Sequence, residues 1–384
     1  MPESALWSLR PFTNPAVFEA ALALSEEHST PFILVDPTPA LEIASELSQT
    51  LGAIRYAVKA GPYPSLIAAL AASGHGFDVA SPAELKLVLA HGARVENCIC
   101  ANPAISPAAI TTFLRSGLRL FVIDDFDCAT AIAVAAYKAH IPFHELRLLV
   151  RLDLSDDSAH LNLANKFGVS YEEGILLGVF LPREGLTIAG VHFHLGSQAT
   201  SATAAGEAAA TALRFVTELH IPDPIIDVGG GLPAPYEGRT DWRPIARALA
   251  APLVGQRVYT EPGRLLASGA ATVVASVIAT ATRHGRHYTH LDAGAYHGLL
   301  EFSGLPQGSP LTTTVGAITD VPELPHPTYL VGPTCDSLDV LFSGPVMLPP
   351  LVAGDLVLFD LSGAYAGTTS STFNGFPPPL AYEI

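Results

Sequence analysis

Between about residue 30 and residue 264, short β-rich runs alternate with Ala- and Leu-rich stretches whose apolar residues recur at helical spacing. That alternation restricts this part of the chain to an α/β architecture built on a parallel sheet. The strand candidates are PFILVD, IRYAVKA, HGFDVA, ENCICA, LFVID, LRLLVRLD, GVHFHLG, IIDVGGG and RVYTEPG. Segments such as PSLIAALAAS, PAELKLVLAHG and ATAAGEAAATALRFVTELH lie between them as helices. The set fits a (β/α)8 barrel with one candidate surplus, and an open doubly wound sheet is the alternative.

Polar residues favour the barrel. Lys59, Asp78, Arg151, His194, Gly229 to Gly231 and Glu261 to Arg264 stand at the C-terminal ends of different strand candidates. A barrel gathers those ends around one mouth, whereas an open sheet strings them along a line. After residue 265 the texture changes to β-rich, Gly/Pro-punctuated sequence, as in ATVVASVIATAT, THLDAG, TYLVGPTCD and GDLVLFDLSGAY. The expected organisation is a barrel over residues 28–264 and a β-rich, all-β domain formed by residues 1–27 and 265–384.

With 20 Lys and Arg against 36 Asp and Glu, the formal charge is −16, which repels nucleic acid and anionic membranes and favours small cationic ligands. Cys98, Cys100, Cys128 and Cys335 include no C-x-x-C pair, so the thiols are expected reduced in a cytoplasmic protein. MPESALWSLRPF lacks the basic flank and apolar core of a signal peptide, and the longest uncharged apolar run, residues 266–282, is too short for a bilayer. A soluble protein without membrane or nucleic-acid partners is expected.

Four short motifs carry chemistry. YAVKA puts Lys59 at a strand end, either as an ordinary exposed lysine or as a Schiff-base amine. DVGGGLP follows a strand with three glycines, which permits a tight turn or a backbone cradle for a phosphate; it is neither G-x-G-x-x-G nor a Walker loop. TEPGR adds Glu261 and Arg264, as a surface ion pair or as partners of a ring nitrogen and a phosphate. VHFHLGS alternates His192 and His194 on one face; no Cys, Asp or Glu nearby in sequence completes a metal set, so no metal is expected, and an imidazole stacked on an aromatic cofactor competes with a core histidine. Taken together, the parts fit a pyridoxal 5′-phosphate (PLP) site, in which a carboxylate keeps the pyridine nitrogen protonated and makes the cofactor an electron sink.

YAVKA, GFDVASPAE, FHLGSQ, DVGGGLP, EPGR, GPTCDSLDVL and GAYAGTTSSTFNGF together resemble the group IV, fold-type III PLP-dependent amino-acid decarboxylases, most closely the bacterial ornithine decarboxylases. The resemblance runs from about residue 30 to the C-terminus, with the motifs in the family's order. It implies an alanine-racemase-like (β/α)8 barrel with Lys59 as the cofactor lysine, Asp78 and Glu84 supporting the site, and Arg151 near the ring's 3′-oxygen. It further implies that His194 stacks on the ring, that Ser197, Gly230, Gly231, Arg264 and Tyr365 hold the phosphate, and that Glu261 pairs with the ring nitrogen. Cys335 is then the acid that protonates the substrate carbon, Asp336 meets the distal ammonium, and Tyr296, Glu301 and Phe373 shape the substrate pocket.

The family's head-to-tail homodimers share each active site between two chains, which gives a reason for the remoteness of CD in the sequence. DAGAYHGLLEFSGLP departs from the eukaryotic version of the specificity stretch, which carries a second substrate aspartate, and leaves Glu301 in its place. The expected reaction is L-ornithine to putrescine and CO2, in polyamine biosynthesis. Lysine or another diamino acid, an amino-acid racemase, and a non-catalytic PLP-binding homologue are the alternatives. Glu261 stands against the racemase, because racemases of this fold place an arginine at the ring nitrogen.

Overall fold

A computed structural model describes residues 5–8, 12, 14, 16–154, 159, 166–236, 240–303, 311, 313–319 and 324–384. The end of DAGAYHGLLEFSGLP, from residue 304, and most of MPESALWSLRPF lie outside the described residues. The chain divides into two compact units: Leu41–Ala234 with Arg239–Leu265, and Met1–Ala40 with Pro235–Gly238 and Leu266–Ile384.

The first unit is a parallel barrel. Its strands, Ala53–Ala57, Gly76–Asp78, Cys98–Ile99, Leu120–Ile123, Arg147–Arg151, Ile188–His192, Ile225–Asp227 and Arg257–Thr260, lie side by side in chain order. The last pairs back onto the first, with Tyr259 opposite Ala53 and Thr260 opposite Ile54. The seam between the third and fourth strands is closed by a parallel bridge between Cys100 and Phe121. Because such strands are covered on both faces, they read as nearly unbroken apolar runs; all four residues of Leu120–Ile123 are buried. Ile99, Ala101, Leu120, Val122, Leu149, Ala189 and Ile225 form an apolar cluster drawn from these strands and the residue after one of them.

The helices that follow the strands begin on short polar side chains. Ser81, Ser106, Asp125, Ser170 and Ser201 each accept a backbone N–H of the following helix's first turn, and Ser170 with Glu173 forms a reciprocal capping box. Each cap satisfies a donor that the helix cannot and fixes where loop becomes helix. The loops at the C-terminal ends of the strands are thereby held in place.

Among the described residues, the second unit is a nine-stranded sheet centred on the long strand Ala271–Arg283. That strand pairs antiparallel with Phe32–Val35, with Leu356–Phe359 and, through a hairpin at His284 and Gly285, with Arg286–Leu291. Both hairpin residues have positive φ, as a two-residue turn with the twist of its strands requires. The helix Val17–Glu27 packs Val17 and Ala21 into a cluster with Phe32, Leu34, Val274, Ile318 and Leu358.

One strand candidate changes place. PFILVD, assigned above to the barrel, forms Phe32–Val35 in the antiparallel sheet, with Val273 opposite Ile33. It is the surplus candidate, and the compact barrel unit accordingly begins at Leu41 rather than at residue 28. Its four residues are all buried, so it shows the same unbroken apolar run as a barrel strand. The β-rich segments expected after residue 265 form strands, among them Ala271–Arg283, Arg286–Leu291, His326–Val331 and Leu356–Phe359. Among the described residues, no helix is long and apolar enough to cross a membrane.

Candidate active site

The first and last barrel strands bring YAVKA and EPGR together. Ala57 donates its N–H to the Pro262 carbonyl at 3.3 Å, and a Cβ on Gly263 would stand 3.0 Å from that of Ala60. Lys59 lies on the 3-10 turn Val58–Ala60 immediately after the first strand, with Nζ 3.0 Å from Asp78 Oδ2 at the end of the second. The other oxygen of Asp78 accepts the Ala101 N–H at 3.1 Å, so the carboxylate is anchored on one side and pairs with the ammonium on the other. Glu84 accepts the Ala80 N–H at 2.7 Å and thus braces the loop that follows Asp78.

A row of ionisable groups crosses the next strands. Register places Arg151 beside His192 and His192 beside Asp227, while Glu261 follows the last strand. His192 Nε2 lies 3.2 Å from Glu261 Oε2, and one ligand atom from each of His192, Asp227 and Glu261 falls within 4.8 Å of the others. All three are buried. Burial, reinforced by neighbouring carboxylates, pushes the Asp227 and Glu261 carboxyls above their usual range, and burial lowers the His192 imidazole to about 4. Sequence proximity had offered His192 no carboxylate partner; the fold supplies two, because residues far apart in the chain become neighbours on adjacent strands.

Beside this row is the glycine loop. Gly229 and Gly231 have φ of 63° and 95°, in the left-handed region. A Cβ at Gly231 would lie 2.0 Å from the Gly196 carbonyl oxygen, and one at Gly230 would lie 2.6 Å from the Glu261 carbonyl oxygen and 3.3 Å from His194 Nε2. His194, one residue past its neighbouring buried Phe193, accepts the Gly196 N–H on Nδ1 at 2.9 Å and so presents the other edge of its ring to the glycines. Burial, then the charges of Arg151 and Lys59, hold the imidazole well below its usual range, in the neutral form. Arg264, at the start of the helix Arg264–Ala267, points Nε at Ser197 Oγ, 3.4 Å away.

Lys59, Asp78, Arg151, His194, Ser197, Gly230, Gly231, Glu261 and Arg264 therefore belong to one end of the barrel unit. The remaining expected site residues belong to the sheet unit. Tyr296 Oη donates to Asp336 Oδ2 at 2.6 Å, which holds the Asp336 carboxyl below its usual range, and the Tyr296 ring lies 4.7 Å from that of Phe373. Cys335 Sγ lies 3.7 Å from Asn374 Oδ1. Glu301 is on the short turn Leu300–Phe302, and Tyr365 has a positive φ with its carbonyl accepting from Thr369.

The sequence reading passed over Asp339. Its buried carboxylate accepts the N–H of Ala295 at 2.8 Å and both N–H and Oγ1–H of Thr334, at 3.1 and 2.7 Å. It ties the turn carrying Cys335 and Asp336 to the segment carrying Tyr296. Gly294 and Gly332 leave room for it, since a Cβ on either would come within 2.4 Å of that carboxylate. In the sequence Gly332 shares GPTCDSLDVL with Asp339, whereas Gly294 lies in DAGAYHGLLEFSGLP, so no local signal joined the three.

All four cysteines are free, and Cys335 is the exposed one. Burial pushes the thiols of Cys98 and Cys128 up to about 12 and that of Cys100 higher still, which leaves them protonated and unreactive.

Residues 41–268 match the family described as pyridoxal-dependent decarboxylase, pyridoxal binding domain. The chain belongs to that family. Over 350 residues this decarboxylase is 30% identical to the lysine/ornithine decarboxylase of Selenomonas ruminantium, a match covering 85% of this chain and 83% of that one. It superposes on the lysine/ornithine decarboxylase of Vibrio vulnificus complexed with putrescine with a TM-score of 0.82 and 29% identity, over 97% of this chain and 99% of that one. The arginine decarboxylase of Paramecium bursaria Chlorella virus superposes with a TM-score of 0.84 at 25% identity, over 96% of this chain and 100% of that one.

The residues present suit PLP. The glycine loop is a cradle that any side chain would fill, next to a cation and a hydroxyl suited to a phosphate. Glu261 Oε1 is a buried acceptor with no hydrogen-bond partner, the group a protonated ring nitrogen needs. Lys59 places an amine beside Asp78 at the same end of the barrel unit. The decarboxylase is a PLP-dependent carboxy-lyase with a barrel and a separate sheet unit.

Proposed function

We propose that the chain decarboxylates a basic amino acid at Cα, with L-ornithine as substrate and putrescine and CO2 as products. The single observation that carries this reading is the acid at Glu261, buried at the mouth of a barrel that also bears Lys59 and the glycine cradle. When bound, PLP supplies the sink for the electron pair left on Cα as CO2 departs.

In this reading Lys59 holds the cofactor covalently, with Asp78 orienting its nitrogen. Glu261 accepts the ring N–H, Arg264, Ser197, Gly230, Gly231 and Tyr365 hold the phosphate, and His194 stacks on the ring. Asp336, kept anionic by the Tyr296 hydroxyl, binds the distal ammonium of the substrate, and the Cys335 thiol delivers a proton to the substrate carbon. Glu301, Tyr296 and Phe373 set the length of the pocket. The sites are shared, Cys335 and Asp336 serving the barrel of a partner chain in a cytoplasmic homodimer. The negative charge of the chain and the names of its relatives support a cationic substrate.

A release assay for CO2 across ornithine, lysine, arginine, diaminopimelate and leucine tests the reading. Highest kcat/KM on ornithine is expected. A preference for lysine retains the mechanism and replaces the substrate, whereas a preference for leucine removes the role given to Asp336.

A further inference from the structure

The reading of Glu261 leaves two buried ionisable neighbours without a task. His192 and Asp227 sit opposite each other on adjacent strands, and both touch the Glu261 carboxylate region. Two carboxylates and an imidazole packed this closely away from water cannot all hold their ordinary charges, since an isolated buried anion is costly and two together are worse. A proton must be distributed among them.

The surroundings decide where it goes. Glu261 faces the cations Lys59 and Arg151, with Asp78 as the opposing anion and Cys100 close by as a neutral thiol. Asp227 faces the anions Glu261 and Asp78 and receives one backbone N–H, from Gly229 at 2.9 Å. Burial disfavours a charge on His192; of its neighbours Asp227 and Asp78 favour one and Arg151 and Lys59 oppose it, with His194 nearby on the same segment, and burial prevails, so the imidazole is neutral. With Glu261 ionised, a neutral imidazole whose Nε2 lies 3.2 Å from Oε2 puts its single N–H on that side, which places the hydrogen on Nε2 and leaves Nδ1 bare. Asp227 Oδ2 and Glu261 Oε1 are the carboxyl oxygens of this cluster left without a partner, and since Oε1 is the one read above as the acceptor of a ring N–H, the proton falls to Oδ2 of Asp227, whose side chain interacts with that of Glu261.

We propose that His192 and Asp227 are positioning residues for Glu261: His192 donates its Nε2–H to Glu261 Oε2, Asp227 carries the proton of the carboxyl pair, and Glu261 is thereby held as an anion with Oε1 open to a ring N–H. The inference rests on the reading of Glu261 as the ring-nitrogen partner. It makes the electron sink depend on two residues that touch neither substrate nor cofactor, and it couples the sink to the glycine cradle, because the same Asp227 carboxyl accepts the Gly229 N–H.

Infrared spectroscopy of the apoprotein near neutral pH tests the proton's place without any cofactor. A protonated-carboxyl stretch, sensitive to deuterium exchange, is expected in the wild type and absent in Asp227→Asn. Its absence from the wild type, or its persistence in Asp227→Asn, overturns the assignment. In the loaded enzyme, His192→Phe keeps a ring of similar size without the N–H, and His192→Gln restores a donor. The pH titration of the bound cofactor's visible band should shift by about one unit or more in His192→Phe. Its kcat should fall roughly tenfold with little change in KM, and both effects should be largely reversed in His192→Gln. If Glu261→Gln moves the band titration and His192→Phe does not, this inference fails alone. If Glu261→Gln leaves the titration unchanged, the underlying reading of Glu261 fails and takes the inference with it.

Discussion

The proposed chemistry gives Lys59 and Glu261 the central roles, and each is testable alone. Borohydride reduction of the yellow holoenzyme followed by peptide mapping should place the cofactor on the peptide containing Lys59; label on another lysine would refute that role. Glu261→Gln should keep the cofactor absorbance while kcat falls about 10²-fold, because a neutral amide no longer stabilises a protonated ring nitrogen. Activity within a few-fold of wild type would make the carboxylate structural only. Burial also raises the Asp227 carboxyl to about 8 from an ordinary 3.8, so the folded apoprotein retains a proton that the unfolded chain has lost. Stability from this group is present below the unfolded value and is lost as pH rises through the folded one. Denaturant midpoints of the apoprotein should therefore fall between about pH 5 and about pH 8, and fall less in Asp227→Asn. An equal slope in the two proteins would show that Asp227 is ionised throughout.

At the scale of elements, loops pinned by caps and close backbone contacts hold the site. The glycine loop tolerates no Cβ at Gly231, where φ is 95° and the Gly196 carbonyl is 2.0 Å from the added atom. Gly231→Ala should raise the Kd for PLP about tenfold or more while the far-UV circular dichroism stays native. Unchanged affinity would mean that the cradle holds no phosphate. The turn carrying Cys335 depends in the same way on Asp339. Asp339→Ala leaves three donors without their acceptor, at about 1–3 kcal/mol for each buried group left unsatisfied. PLP absorbance should persist while kcat/KM on ornithine falls. The glycines of DVGGGLP and the acid of EPGR were legible in the sequence, and the fold packs the two segments together. Asp339 was not, because Gly294 and Gly332 lie well before it in the chain and only the fold packs them against its carboxylate.

For the whole molecule, the question is where Cys335 acts. Lys59 belongs to the barrel unit and Cys335 to the sheet unit, and the proposal of shared sites has them meet across two chains. Lys59→Ala and Cys335→Ala homodimers should each make little diamine. When they are mixed and exchanged at random, half the dimers are mixed and half of their sites are intact, so about a quarter of wild-type activity should return. Heterodimers proven by mass spectrometry but inactive would put Cys335 in the same site as its own Lys59.

The alternation of apolar strands with capped helices determined the barrel, because strand period, helix period and cap residues are local properties that each segment carries wherever it ends up. The chemistry-bearing residues were legible for a related reason: strand ends are marked by the polar residue that interrupts an apolar run, as at Lys59, Asp78 and Arg151. Tertiary structure alone decided which strand joins which sheet. Phe32–Val35 is as apolar as any barrel strand, and its pairing with Ala271–Val274 and with Leu380–Glu383 assigns it to the sheet unit. It also decided the partners of His192, which has no carboxylate near it in the chain and two in the fold. Pairing across adjacent strands joins residues separated by tens of positions, and no local pattern records that choice.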